Sequence, residues 1–294
     1  MTDISVALEN VTRSFGAKKV LRGVTVRLEK GKVAGILGRN GEGKTTLFKT
    51  MLDIIDADSG RIEINGLSPD GSGLLRQFTG YVPERPVFHN FMTVGDVFAL
   101  RAGFFKNWNP ARTGEIAKKL SLDLNCKIEG ASKGTLGKIG WVCAVAHEPS
   151  VLLLDEPTSG LDALVRDELL SHMIEELQSS GKTILVANHR MEELAGVLDE
   201  LWVLAGGVFA ARYDMANLKT EARQITARLK AGVQLPAGTV LINQEGPLVE
   251  IAVFTKGEFD KAVGSGVLEN INSAPLPVDT AMKMLLKITG ENNG

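Results

Sequence analysis

Apolar and polar positions along the first part of the chain follow several distinct patterns. Residues 4 to 9 and VLRGVTVRL at 20 to 28 carry the alternation of half-buried strands. From Val33 to Leu37 the run is apolar throughout and stops at a glycine-rich stretch, which predicts a buried strand feeding a loop. TTLFKTMLDII at 45 to 55 then has helical spacing, and RIEING at 61 to 66 returns to a strand closed by an Asn-Gly turn. Between about Asn90 and Ala146 the pattern is helical, with amphipathic pieces at Val94 to Phe104, Gly114 to Leu120 and Leu136 to Ala146. Strand character resumes with VLLLD at 151 to 155, passes through a helix at about 163 to 179, and returns with TILVAN at 183 to 188. Strands alternating with helices predict an α/β fold built on a mostly parallel sheet with helices on both faces.

Beyond about Tyr213 the texture changes. ITARLKAG, the alternating segments TVLINQ and LVEIAVF around an Asn-Gln-Glu-Gly turn, and an apolar-periodic helix near Ala281 to Ile288 predict a small α+β appendage over residues 214–294. Its charged residues are scattered and suggest no chemistry. There is no internal repeat and no low-complexity linker.

Composition narrows the partners. With 33 Lys and Arg against 35 Asp and Glu, the formal charge is −2, and nothing resembles the basic excess that neutralises a phosphate backbone, so nucleic acid is not expected. Two cysteines, Cys126 and Cys143, lack a CxxC spacing or a nearby His and read as reduced and structural. The N-terminal segment has no basic start followed by an apolar stretch, and no apolar run approaches the roughly 20 residues of a membrane-spanning helix. Any membrane role is expected to come through a partner.

The chemistry concentrates at two strand ends. GRNGEGKT at 38 to 45 fits the phosphate-binding pattern GxxxxGK[ST], and it lies between a buried strand and a helix, where that pattern functions. Its glycines let backbone N–H groups wrap phosphates, and the helix N-terminus adds a favourable partial charge. Lys44 would reach the β- and γ-phosphates and Thr45 would ligate Mg²⁺. Candidate nucleotide contacts are therefore Gly38, Asn40, Gly41, Gly43, Lys44, Thr45 and Thr46. The second strand, VLLLD, ends in adjacent acids whose side chains point in different directions: Asp155 for the Mg²⁺ shell and Glu156 as general base for an attacking water.

On these residues the chain resembles the nucleotide-binding domain of the ATP-binding-cassette family, over about residues 3 to 213. The resemblance implies a cassette at 1–213, with a mostly parallel core, an antiparallel β subdomain and a helical subdomain at about 88–147. It implies that Phe15 stacks on adenine, that SGLD at 159 to 162 crosses a dimer interface through Asp162, and that His189 contacts the γ-phosphate. Three positions depart from the family pattern. Glu84 stands in GYVPERP where Gln is usual, and a carboxylate there could still serve as a metal ligand. ASKGT at 131 to 135 replaces the usual LSGGQ and keeps Ser132 and Gly134, which would bind the partner cassette's γ-phosphate; Asn188 replaces Ser or Thr before the histidine.

The resemblance further implies an ATPase that uses ATP and Mg²⁺, with Lys44, Glu156 and His189 catalytic. It implies a homodimer, or a heterodimer with a related cassette, in the ATP state. Separate transmembrane permease subunits would be driven through a groove near Pro83 to Val97, with the chain cytoplasmic and peripheral on the inner membrane face. The chain most resembles ATPases of two-component exporters. Two other readings stay open: a soluble, non-transport cassette ATPase, and an ATP-binding regulatory subunit with weak turnover.

Overall fold

A computed structural model of the chain describes residues 3–179 and 181–291. The chain opens with two long strands, β1 (Ile4–Phe15) and β2 (Lys18–Glu29), followed by β3 (Val33–Leu37), α1 (Lys44–Met51) and β4 (Ser59–Ile64). Next come β5 (Thr79–Val82), α2 (Val94–Ala102), α3 (Pro110–Lys119), α4 (Lys133–Val145), β6 (Val151–Asp155), α5 (Ala163–Ser179) and β7 (Thr183–Ala187). The remaining elements are β8 (Glu200–Ala205), β9 (Val208–Asp214), α6 (Met215–Glu221), β10 (Arg223–Leu229), β11 (Val240–Glu245), β12 (Leu248–Val253), α7 (Lys256–Gly264), β13 (Leu268–Pro275) and α8 (Val278–Glu291).

Six strands form the central sheet in the order β5-β6-β7-β3-β8-β9, all parallel except β9, which pairs antiparallel with β8. β3, β6 and β7 are buried at every residue, which is why their sequences are continuous apolar runs rather than alternations. A three-stranded antiparallel sheet, β2-β1-β4, covers α1 and one face of the central sheet: Val6, Leu8, Leu21, Val24 and Leu28 share a core with Leu47, Phe48, Ile36 and Leu153.

α2, α3 and α4 form the helical insertion, and local chemistry starts each of them. Thr93 and Asp96 make a reciprocal capping box for α2, Asn109 caps α3 ahead of Pro110, and Ser132 caps α4. The predicted helix at 45 to 55 is shorter than its periodicity suggests, because Asp53 takes a left-handed φ of 58° just after the end of α1.

After β9 the chain builds an antiparallel sheet, β11-β12-β10-β13, whose core of Ile225, Ala227, Val249, Ile251 and Val253 packs with Ala262 of α7. α8 then returns to the first part of the chain. Ala281, Met282, Met284 and Leu285 belong to the same buried cluster as Met191, Leu194, Leu198 and Leu201.

Candidate functional site

Three parallel strands end at one edge of the central sheet, and each delivers part of one polar site. β3 runs into the glycine loop, β6 into Asp155 and Glu156, and β7 into Asn188 and His189. The order β6-β7-β3 places these ends side by side.

Gly43 precedes α1 at φ 103°, a left-handed conformation that glycine adopts without steric cost. It supplies no capping side chain, and the first turn contains no acidic residue, so the helix N-terminus stays open to an anion. Glu42 ties the loop to the β8–β9 turn by accepting the Gly206 N–H at 2.6 Å. Asn40, Gly41 and Thr45 are exposed along the loop, Thr46 is half-buried, and Gly38 is buried at its start.

Lys44 is buried. Its Nζ donates to the carbonyls of Gly38 at 2.7 Å and Arg39 at 3.2 Å, and it ion-pairs with Glu156 Oε1 at 3.0 Å. The other Glu156 oxygen meets His189 Nδ1 at 2.8 Å. Glu156 itself has φ 47°, an unusual conformation for a non-glycine residue and one typical of functional sites. One carboxylate thus joins the phosphate-loop lysine to the strand-end histidine.

Asp155 sits beside them, buried. Its Oδ2 accepts the Tyr81 hydroxyl at 3.3 Å, while Oδ1 is buried without a hydrogen-bond partner. Burial pushes the Asp155 carboxyl above its ordinary range, with the Glu156 charge adding to it; the hydroxyls of Thr45 and Tyr81 and the Lys44 charge pull the other way. Burial, reinforced by Asp155, pushes the Tyr81 phenol far upward, so it acts as a donor. Among the described residues no group of three or more His, Cys, Asp or Glu side chains could hold a metal alone. A single buried carboxylate oxygen lacking a partner, beside a threonine hydroxyl, suits Mg²⁺ completed by phosphate oxygens and water.

The glycine loop, the acid pair at the end of β6 and the histidine after β7 lie together at one end of the central sheet, and comparisons with known proteins identify the family of the chain. Residues 21–159 match the family model described as ABC transporter. A protein from Methanocaldococcus jannaschii described as an uncharacterized ABC transporter ATP-binding protein is 34% identical over 211 residues, covering 69% of this chain and 74% of the relative. The chain belongs to the ABC transporter family. A solved ATP-binding subunit of an ABC transporter has a TM-score of 0.66 at 27% identity, covering 73% of this chain and 92% of its own. A cassette solved as a dimer in a post-hydrolysis state, with ADP and Pi, shares the fold at a TM-score of 0.64 and 20% identity, covering 71% of this chain and 98% of its own. The chain is therefore the ATP-binding subunit of an ABC transporter, and an ATPase.

Other expected cassette residues make their hydrogen bonds and ion pairs outside this cluster. Phe15 ends β1 half-exposed, outside the core, with the Arg13 guanidinium 4.9 Å from its ring centroid. Ser132 is exposed at the start of α4 and accepts the Thr135 N–H at 3.0 Å. Gly134 has a packing role in the chain, since a Cβ there would lie 2.7 Å from Val165 of α5. Asp162 accepts the Val165 N–H at 3.1 Å and so caps α5. Glu84 is exposed and pairs with Arg85 at 3.7 Å. Its loop, the start of α4 and the Ser159–Leu161 turn line one cleft of about 250 Å³.

Along the segment Pro83 to Val97, where a groove is expected, exposure varies. Val87 and Phe91 are strongly exposed, whereas Phe88 packs against the core. A larger groove, about 390 Å³, lies between the end of α1 and the helical insertion, lined by Leu52, Ile54, Arg76, Gln77, Tyr81, Arg101, Phe104, Phe105 and His147. Sequence reasoning passed over Tyr81, because TGYV is too short for its alternation to register.

Proposed function

We propose that this subunit is the motor of a two-component exporter, with Glu156 as general base and Lys44, Thr45 and Asp155 as the phosphate and cation ligands. The observation that carries the assignment is the buried Lys44–Glu156 pair at 3.0 Å, with the exposed His189 on the other Glu156 oxygen at 2.8 Å. Phosphate oxygens compete with Glu156 for the Lys44 ammonium. Once that pair is exchanged, the carboxylate is free to take a proton from the attacking water, with His189 held against its other oxygen. Thr45 and Asp155 Oδ1 would hold Mg²⁺, which when bound neutralises charge on the β- and γ-phosphate oxygens. Phe15, exposed at the end of β1, supplies the adenine platform.

Ser132 and Gly134 stand at the opening of α4, away from Lys44 in the same chain. They serve the site of a second cassette, so a complete site takes two copies, or this chain and a related one. The post-hydrolysis dimer among the solved cassettes supports that arrangement. Among the described residues no helix is long and apolar enough to cross a membrane, which fits a peripheral subunit working on separate permease subunits at the cytoplasmic face. The 390 Å³ groove is the surface we assign to them.

Glu156→Gln tests the assignment. Mg²⁺-dependent ATP turnover should fall at least about 100-fold, while size-exclusion in ATP and Mg²⁺ shows the variant held as a dimer. Turnover at the parent rate would remove Glu156 as base. Nucleotide binding without turnover in parent and variant alike would replace the motor with a regulatory subunit.

A further inference from the structure

Asp155 is held by a residue to which the sequence pattern assigns no role, Tyr81, three positions before Glu84 in GYVPERP. β5 is the edge strand of the central sheet and pairs in parallel with β6, with Tyr81 opposite Leu153. From there the Tyr81 side chain reaches the end of β6, and its hydroxyl donates to Asp155 Oδ2 at 3.3 Å. The ring is half-buried and forms part of the wall of the groove that also contains Leu52, Arg101, Phe105 and His147. The ring is thus packed at one end, and its polar atom meets the carboxylate at the other.

The two Asp155 oxygens have different surroundings. Oδ2 is engaged by Tyr81, and Oδ1 is buried with no partner. A buried carboxylate oxygen without a donor is costly unless a cation or another donor completes it. A carboxylate free to rotate about its last bond could exchange its two oxygens; with the Tyr81 hydroxyl on Oδ2, and the Thr45 hydroxyl also acting on the carboxylate, the exchange requires breaking the Tyr81 bond.

We propose that Tyr81 is a positioning residue for the cation site: its hydroxyl fixes the Asp155 carboxylate so that Oδ1 is the oxygen presented to the metal. This rests on the reading above that Asp155 is a Mg²⁺ ligand. Outer partners of metal-binding carboxylates act in this way, and losing one typically weakens metal affinity by 10-fold or more.

The test is ADP binding to the full chain by calorimetry, in Mg²⁺ and in EDTA, for the parent, Tyr81→Phe and Asp155→Asn. ADP is not hydrolysed, so the measurement reads the site apart from turnover. Tyr81→Phe keeps the ring in the groove wall and removes only the donor. The affinity gained on adding Mg²⁺ should shrink about 10-fold in Tyr81→Phe, with affinity in EDTA unchanged. In turnover, the Mg²⁺ concentration for half-maximal rate should rise, while KM for ATP at saturating Mg²⁺ holds. A merely structural role would weaken binding in EDTA as well, and equal losses in both conditions would overturn the proposal. A Mg²⁺ gain equal to the parent's would overturn it too, leaving Asp155 as ligand if Asp155→Asn loses the gain. If Asp155→Asn keeps the gain, the reading of Asp155 falls, and the role of Tyr81 with it. Matching thermal transitions for the parent and Tyr81→Phe establish that the fold is shared.

Discussion

The central sheet and the sheet after β9 have similar strand lengths but carry chemistry very differently. In the central sheet β3, β6 and β7 run parallel with both faces covered, so every residue is buried and the polar residues gather where the strands end. Parallel strands all end on the same side, which is how Lys44, Asp155, Glu156 and His189 meet. The sheet β11-β12-β10-β13 is antiparallel, so successive strands end on opposite sides and no such convergence arises. Its β10 alternates between buried and exposed positions: Ile225 and Ala227 pack in the core beneath α7, while Thr226 and Arg228 are exposed on the other face, part of which, Ala252 with Val240 and Ile242, packs into the first region's core. Several residues join the two regions: α8 places Met284 and Leu285 in the core of the first, and Ala252 of β12, Phe254 and Leu276 belong to the same cluster.

That crossing gives the largest expected effect. Leu285 is 2% exposed in the cluster shared with Met191 and Leu194, and Ile251 is fully buried in the separate cluster beneath α7. Either residue changed to Ala should cost about 2–4 kcal/mol. Leu285→Ala should lower the thermal transition of the whole chain and of its nucleotide-protected fraction together. Ile251→Ala should loosen the region after residue 222 while amide exchange in β3, β6 and β7 stays at the parent level. Equal loss of protection in both regions for Ile251→Ala would show that the two sheets unfold as one unit and break the comparison.

Acid should act on the first region. His147 is 1% exposed and stacks on Phe105 with ring centroids 4.0 Å apart. Burial, with the charges of Arg101 and Lys182 against protonation, pushes its imidazole down to about 4. The folded pKa lies below the unfolded one, so the unfolded chain binds the proton first. Stability is therefore complete above about pH 6.5 and declines as pH falls toward about 4, by up to about 3 kcal/mol. Urea midpoints at pH 7.5 and 5 should differ less in His147→Phe, which keeps an aromatic ring against Phe105. An unchanged pH slope in that variant would assign the acid sensitivity elsewhere.

How much of this the sequence revealed follows the same division. VAGIL, VLLLD and TILVA are legible because burial on both faces requires unbroken apolar runs, and the phosphate loop is legible because its spacing carries its geometry. β5 was not found, because four residues including Gly80 show no period, and Tyr81 went unnoticed with it. The β8–β9 hairpin, α7 and β13 were passed over as well. β13 is exposed at most positions, so nothing in its composition separates it from a loop. The apolar stripe of α8 was visible near 281 to 288, but a stripe does not name its partner, and its packing on Met191 and Leu194 became clear only in three dimensions. The Lys44–Glu156 and Tyr81–Asp155 contacts are tertiary in the same sense. Motifs identified three of those four residues, while only the fold shows which of them touch.

The smallest effect probes the second sheet from its surface. Thr255 accepts the Glu258 N–H at 3.2 Å, and Glu258 Oε2 accepts the N–H groups of Thr255 at 3.0 Å and Phe254 at 2.7 Å, so α7 starts from a reciprocal cap. Thr255→Ala should cost about 1 kcal/mol, because the α7 N–H groups lose an acceptor while the apolar contacts of Ala262 remain. The loss should appear as faster amide exchange in α7 and β13, with ADP affinity and turnover unchanged, since no residue of the nucleotide cluster touches that cap. A fall in nucleotide affinity would mean that α7 reports to the cassette despite its separate core. With α8 already tying the two regions together, that result would make the second sheet a regulator of the site.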